Sequence, residues 1–375
     1  MASALRHPAS DNAVSPFLVI WETTQACDLA CRHCRASAQP EHDPLALTHS
    51  QARQLLEQVR SFSDPPPLFV FTGGDPFKRS DLFELVQYAS DLGLRPAVSP
   101  SATPLLTREN LSRLKECGAR AISLSLDAPG EEAHDAFRGV SGSYALTMQG
   151  CSLVRELGLK LQVNSTVTRH NLAALPALVR LLVPLELMTW SVFFLVPTGR
   201  AQQQDAISPE ECEEVMHFLV DASRYLPLKA TEGHHYKRVL LQRQDDPGPD
   251  NELRRELRRL ALEEGWQPRA AARRKPMHIN SGDGFVFISH RGEVFPSGFL
   301  PLSAGNVRRL NLVDLYRHSP LFQLMRNTSD LKGRCGVCEF RSVCGGSRSR
   351  AYASTGDPLA EEPLCAYQPE AACPA

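Results

Sequence analysis

"FLVIWETTQACDLACRHCRAS", residues 17–37, joins a short β-rich apolar run to three cysteines, Cys27, Cys31 and Cys34. The first six residues read as a buried strand, and the cysteines sit on the loop that leaves it. Disulfides take cysteines in pairs, and a closed zinc or iron–sulfur site takes four ligands. Three thiolates on one loop therefore imply a centre with an open coordination position. A zinc site completed by a distant fourth ligand is the plainer alternative.

Working outward, similar apolar runs recur at 67–72, 95–99, 121–126, 159–167 and 190–196. Amphipathic stretches lie between them, at 48–62, 79–94, 107–118 and 144–159. Strands alternating with helices predict an α/β fold with a parallel sheet, here a partial (β/α)6 TIM-like barrel rather than a closed eight-unit one. Chemistry in such folds collects at the C-terminal ends of the strands. The three cysteines, "TGGDP" (72–76) and "SLSLDAP" (123–129) all fall at such ends. Residues 201–275 read as mostly helical and charged, and "DDPGPDNELRRELRRLALEEGW" (245–266) as a solvated helix. "GFVFISHRGEVFPSG" (284–298) alternates like a hairpin turning at "HRG". The expected organisation is an extended or disordered 1–15, a barrel over 16–230, a helical linker over 231–275 and a small C-terminal domain over 276–375.

Composition bounds the function. The chain has 375 residues, 42% hydrophobic and 22% charged, enough for a large core, and a net charge of −1 without a basic stripe. Nucleic-acid binding has no electrostatic footing. The longest apolar run, 178–196, is broken by Arg180, Pro184 and Glu186, so no membrane span is expected. The first 16 residues lack a long apolar segment, which points to the cytoplasm. Eleven cysteines in a reducing compartment point to metal or redox chemistry. Cys117, Cys151, Cys212 and Cys373 belong to no motif; the first two fall on helical patterns as small buried apolar residues.

A second cysteine set, Cys335, Cys338, Cys344 and Cys365, supplies four thiolates and can close a shell around zinc or a 4Fe-4S cluster; spacing does not choose between them.

"CDLACRHC" (27–34), including His33, resembles the signature of the radical S-adenosylmethionine (radical SAM) enzymes. The resemblance implies a 4Fe-4S cluster on Cys27, Cys31 and Cys34 whose open iron takes the amino and carboxylate groups of S-adenosylmethionine. Reductive cleavage then yields a 5′-deoxyadenosyl radical that abstracts hydrogen from a substrate. "FTGGDP" (71–76) resembles the family's Gly-Gly-Glu-Pro motif, with Asp75 in place of Glu. Gly73, Gly74, Asp75, Ser101, Ser125, Asp127, Arg138 and Asn164 are thereby implied to contact the cofactor, although Ser, Asp and Asn at such places also cap helices and close turns.

The C-terminal cysteines resemble a SPASM-type domain. Its fuller form has seven cysteines and two auxiliary clusters. Here Ser297 and Arg348 stand where cysteines are expected, and another is missing around "HINSGDG" (278–284). All three belong to one cluster, so one auxiliary 4Fe-4S cluster is implied. The C-terminal segments look most like the branch of alternative-heme and heme-d1 enzymes, which implies a tetrapyrrole substrate. Arg200, Lys237 and Arg238 are candidate partners for its carboxylates by residue type, and His234 and His235 for an acidic substrate or a metal. A flavodoxin or ferredoxin would supply electrons. The alternatives are a maturase of a ribosomal peptide, for which 26 residues before Cys27 leave no room for a recognition domain, and a non-catalytic electron carrier.

Overall fold

The computed structural model describes residues 11–269 and 279–369. Residues 1–10, the expected boundary at 276 and Cys373 lie outside the described residues. The strands are β1 (Leu18–Glu22), β2 (Leu68–Thr72), β3 (Arg95–Val98), β4 (Ala121–Ser125), β5 (Lys160–Val167), β6 (Thr189–Phe194), β7 (Leu228–Thr231), β8 (Phe285–Ile288), β9 (Glu293–Phe295) and β10 (Gly305–Asn306). The helices of the barrel region are α1 (His49–Arg60), α2 (Leu82–Asp91), α3 (Arg108–Glu116), α4 (Glu131–Arg138), α5 (Ser143–Glu156), α6 (Leu175–Leu182), α7 (Pro209–Ala222), α8 (Tyr236–Gln242) and α9 (Glu252–Glu263). Then come α10 (Leu312–His318), α11 (Pro320–Arg326), α12 (Gly333–Val337) and α13 (Arg348–Thr355).

All ten strands form one sheet in the order β10-β9-β8-β1-β2-β3-β4-β5-β6-β7. Strands β1 to β7 pair in parallel, and β8 pairs in parallel with β1 on its other side. The expected strands are all present within a residue or two. Two features correct the sequence reading. A seventh strand, β7, extends the barrel inside the region read as helical, because "LKAT" is too short and too polar to announce itself. The hairpin β8–β9, expected within a C-terminal domain over 276–375, is continuous with the barrel sheet.

Side chains alternate across the sheet. Val19, Trp21, Phe69, Phe71, Ile122, Leu124, Val163, Trp190 and Val192 point outward into the helix layer and are wholly buried. Each contributes about 2 kcal/mol of apolar burial. Trp190 keeps its indole N–H satisfied through Ser165 Oγ at 2.9 Å. Local signals agree with this layer. Capping boxes start α1 (Thr48, Gln51) and α7 (Ser208, Glu211), and Pro209 fills the first turn of α7. Helix α9, expected to be solvated, buries Leu253, Leu257 and Leu260 and packs on α6 and α7. Most of its charged residues occupy the opposite face, Arg254 alone being buried in a pair with Asp221, so composition concealed the stripe. No helix among the described residues is long and apolar enough to cross a membrane.

The inner face is different. Ile20, Val70, Ser125, Asn164, Thr166 and Phe193 are only half-buried, so the barrel lumen is open rather than filled.

Candidate active site

Cys27, Cys31 and Cys34 line one cavity of about 230 Å³ at the C-terminal ends of the strands, with Gly73, Gly74, Ser101, Ser125, Arg138 and Asn164. Each sulfur receives a donor: Leu29 N–H to Cys27 Sγ at 3.4 Å, Ala38 N–H to Cys34 Sγ at 3.4 Å, and Arg138 Nη1 to Cys31 Sγ at 3.7 Å. Thiolates ligating a cluster are stabilised by such donors, so the residues present fit a cluster with an open position facing the cavity.

Three segments clamp this loop. The Gly73–Gly74 turn packs on residues 24–26, where Gly74 N–H donates to Thr24 O at 2.8 Å and Asp75 N–H to Ala26 O at 2.7 Å. A Cβ on Gly74 would stand 2.4 Å from Ala26 O, and one on Gly73 would meet Thr24 O equally closely. The glycines were expected to admit a ligand; what forbids their side chains is the chain's own backbone. At the second clamp, the end of α4, Ala30 N–H and Arg32 N–H donate to Arg138 O and Phe137 O, and the His33 ring stacks on Phe137 with centroids 4.4 Å apart. The third clamp is the turn after β6. Arg200 donates from Nε to Cys31 O and from Nη1 to Ala38 O, both at 2.9 Å, and Gly199 at φ +62° lets the turn reach Cys34 O.

Gly74→Ala is accordingly expected to push the residues before Cys27 off their positions. The overpacking costs about 1–3 kcal/mol. Misplacing the loop by about an ångström lowers S-adenosylmethionine cleavage roughly a hundredfold, measured as 5′-deoxyadenosine formed per minute. Unchanged cleavage would contradict this role for the turn.

Not every expected contact faces the cavity. Asp75 is fully buried below it: its carboxylate accepts from Thr103 Oγ1 at 2.7 Å, Phe77 N–H at 3.1 Å and Ser101 N–H at 3.4 Å. Burial holds its pKa above the usual carboxylate value. Asp75 thus shapes the turn while Ser101 Oγ bridges Gly74 O (2.7 Å) and Cys27 Sγ (3.4 Å). Asp127 is likewise turned inward, paired with Arg138 and accepting Thr166 N–H at 2.8 Å. Burial alone would raise the Asp127 pKa, but the Arg138 guanidinium outweighs it and holds the group ionised. Ser125 and Asn164 line the cavity.

His134, Thr166, Phe193 and Phe299 also line it and were not anticipated. Burial, then the charge of Arg138, lowers the His134 pKa to about 4, so its ring is neutral near pH 7. Its Nδ1 accepts from Asp127 N–H at 3.2 Å, while its buried Nε2 has no partner among the described residues. The only sequence sign was "HDAFRG" itself.

The second set is also brought together. Cys335, Cys338, Cys344 and Cys365 line a separate small cavity of about 30 Å³. Glu362 N–H donates to Cys335 Sγ at 3.3 Å and Gly346 N–H to Cys344 Sγ at 3.4 Å. Among the described residues, no three His, Cys, Asp or Glu side chains converge on a single metal ion; each cysteine set rings a cavity instead. Lys237 and Arg238 belong here rather than with a substrate: Arg238 pairs with Glu213 and covers the Tyr367 ring at 4.5 Å, and Lys237 Nζ donates to Ile279 O at 3.1 Å. Arg200 is held to the cysteine loop through Nε and Nη1, and its Nη2 has no partner among the described residues. His235 lines the small cavity, its Nε2 3.1 Å from Cys212 Sγ, and burial lowers the His234 pKa well below its usual value.

Where cysteines are missing, a polar network stands. Glu232, buried at φ +55°, accepts from Ser297 Oγ at 3.0 Å, Ser349 Oγ at 3.1 Å and Ser347 Oγ. Arg350 ties Glu232 O (2.7 Å) to the Glu362 carboxylate (2.8 Å). Asn280 Nδ2 donates to Cys344 O at 3.3 Å and Gly346 O at 3.0 Å. Arg348 donates to Pro358 O and Ala360 O and approaches Cys335 Sγ at 3.9 Å.

Known proteins share both the sequence and the shape. A family model described as the Radical SAM superfamily matches residues 21–182. The AdoMet-dependent heme synthase of Oleidesulfovibrio alaskensis is 40% identical over 360 residues, covering 94% of this chain and 87% of that one. The pre-heme d1 synthase of Dinoroseobacter shibae is 29% identical over 364 residues, covering 93% and 85%. The crystal structure of Streptococcus suis SuiB bound to precursor peptide SuiA superposes with a TM-score of 0.70 at 16% identity, covering 94% of this chain and 76% of that one. With its three-cysteine loop clamped at the barrel mouth and such a relative along nearly its whole length, the chain belongs to the radical SAM superfamily, enzymes that use a 4Fe-4S cluster and S-adenosylmethionine.

Proposed function

We propose that this enzyme oxidatively decarboxylates propionate side chains of an iron tetrapyrrole, leaving vinyl groups. The observation that carries the reading is the 40% identity to an AdoMet-dependent heme synthase over 94% of the chain. When bound, the cofactors supply the radical that takes a hydrogen from the propionate β-carbon and a place for the electron released as carbon dioxide leaves.

The chain's own residues do the positioning. Cys27, Cys31 and Cys34 would hold the first cluster, and Gly73, Gly74, Ser101, Ser125, Arg138 and Asn164 the S-adenosylmethionine. Asp75 and Asp127 act indirectly, the first by shaping the glycine turn and the second by orienting Arg138. Phe193 and Phe299, with ring centroids 6.2 Å apart, offer apolar faces to a planar macrocycle and keep water from the reacting carbon. Cys335, Cys338, Cys344 and Cys365 would hold one auxiliary 4Fe-4S cluster, and the Glu232 network takes the space of a second. A cytoplasmic setting with a flavodoxin- or ferredoxin-like donor suits free thiols throughout the described chain. A peptide substrate is the weaker reading, because the peptide-bound relative is only 16% identical and speaks for the fold. The electron-carrier alternative falls with membership of an enzyme family.

Anaerobic incubation with iron coproporphyrin III, S-adenosylmethionine and dithionite tests the reaction. The product should lose about 46 Da, carbon dioxide plus two hydrogens, per propionate converted. An unchanged mass alongside active formation of 5′-deoxyadenosine would overturn the proposal.

A further inference from the structure

Lys229 stands in an unusual place. It lies on β7, paired with Ser191 of β6, which pairs with Asn164 of β5, which pairs with Ser125 of β4. Residues paired in a parallel sheet project from the same face, so these four form one row across the lumen. Ser125 and Asn164, at one end of the row, line the cavity that holds the three cysteines. Lys229 is two strand spacings from Asn164, about 10 Å. Its neighbours Leu228 and Ala230 pack outward against the core, so Lys229 projects from the opposite, lumen-facing side of β7.

The ammonium group has no hydrogen bond or ion pair with any described residue. Other cations at the cavity are committed: Arg35 to Glu22 at 2.6 Å and Arg138 to Asp127. Lys229 is exposed, and the crowding of the barrel wall around it lowers its pKa. Both follow if it lines a cavity inside the barrel. A cation on the barrel wall with no carboxylate beside it gains from any anion that enters next to it.

We infer that Lys229 is the specificity-determining anchor for a carboxylate of the substrate, inside the barrel and in the same row as the cofactor-facing Ser125 and Asn164. The inference rests on the tetrapyrrole reading and deepens it, since one carboxylate held at Lys229 would fix how the macrocycle presents another to the cysteine loop.

The test compares binding of iron coproporphyrin III, a tetracarboxylate, with binding of its tetramethyl ester. Each is titrated anaerobically by absorbance into the cluster-loaded enzyme and its Lys229→Met and Lys229→Arg variants. Lys229→Met should weaken the acid roughly tenfold. Lys229→Arg should hold it within about threefold, and the ester should bind all three proteins alike. Iron content and circular dichroism establish that the variants are folded. Equal affinity of Lys229→Met and the parent for the acid would overturn the anchor and leave the tetrapyrrole reading standing. Equal weakening of acid and ester would also overturn it, as lost packing rather than lost charge. If the parent binds neither compound, the tetrapyrrole reading fails and the anchor with it.

Discussion

Cys31→Ala is expected to reduce S-adenosylmethionine cleavage to the non-enzymatic background. Cys31 lies at the centre of the clamped loop, buried, with Arg138 Nη1 3.7 Å from its sulfur and Arg200 Nε 2.9 Å from its carbonyl oxygen. Two remaining thiolates cannot retain a cluster that needs three. Arg138 is meanwhile left facing a methyl group, with Asp127 as its one remaining anionic partner. The measurement is 5′-deoxyadenosine formed from anaerobically reconstituted, dithionite-reduced protein. Iron content should fall with it, from about eight atoms to about four. Cys117→Ala is the control: this residue is the C-cap of α3 through its backbone N–H, lines neither cavity, and the loss of its thiol should leave cleavage and iron unchanged. Cleavage at the parent rate in Cys31→Ala would remove the radical mechanism altogether.

What could be read in advance follows the range of the interactions. The cysteine loop, the glycine turn and the first six strands are local patterns, and each is found where its residues pointed. The clamps on the loop are not local. Arg200 reaches Cys31 O across 169 positions of sequence, and nothing in "PTGRA" names its partner. Strand β7 was missed because four residues with a lysine among them carry no alternation to read, so Lys229 went unnoticed too. Asp75 and Asp127 were recognised as special, but the direction of their carboxylates depends on Thr103 and Arg138, which only folding brings near. Lys237 and Arg238 were chosen by charge alone and went to the second cysteine set. The absence of three cysteines was legible; the carboxylate of Glu232 that draws Ser297, Ser347 and Ser349 into that space was not.

The second large effect concerns that C-terminal set. Anaerobically reconstituted protein should carry about eight irons in two clusters. Cys344→Ala should carry about four, with product formation from the tetrapyrrole falling far more than uncoupled cleavage of S-adenosylmethionine. Cys344 is the thiol to change because burial pushes its pKa up to about 12, so as a free thiol it is inert and gains its thiolate form through ligation. Arg238 and Arg334 line the cavity, paired with Glu213 and Glu361, Arg348 approaches Cys335 Sγ, and the charge of Cys344 acts on Lys237. Those cations favour the reduced state of whatever cluster sits among them, as an acceptor of the decarboxylation electron requires. Metal analysis separates the two closed-shell readings left open by four thiolates. About four irons with one zinc in the parent protein would replace the auxiliary cluster by a structural site. Cys344→Ala would then lose the zinc and keep its iron, and the electron would need another way out.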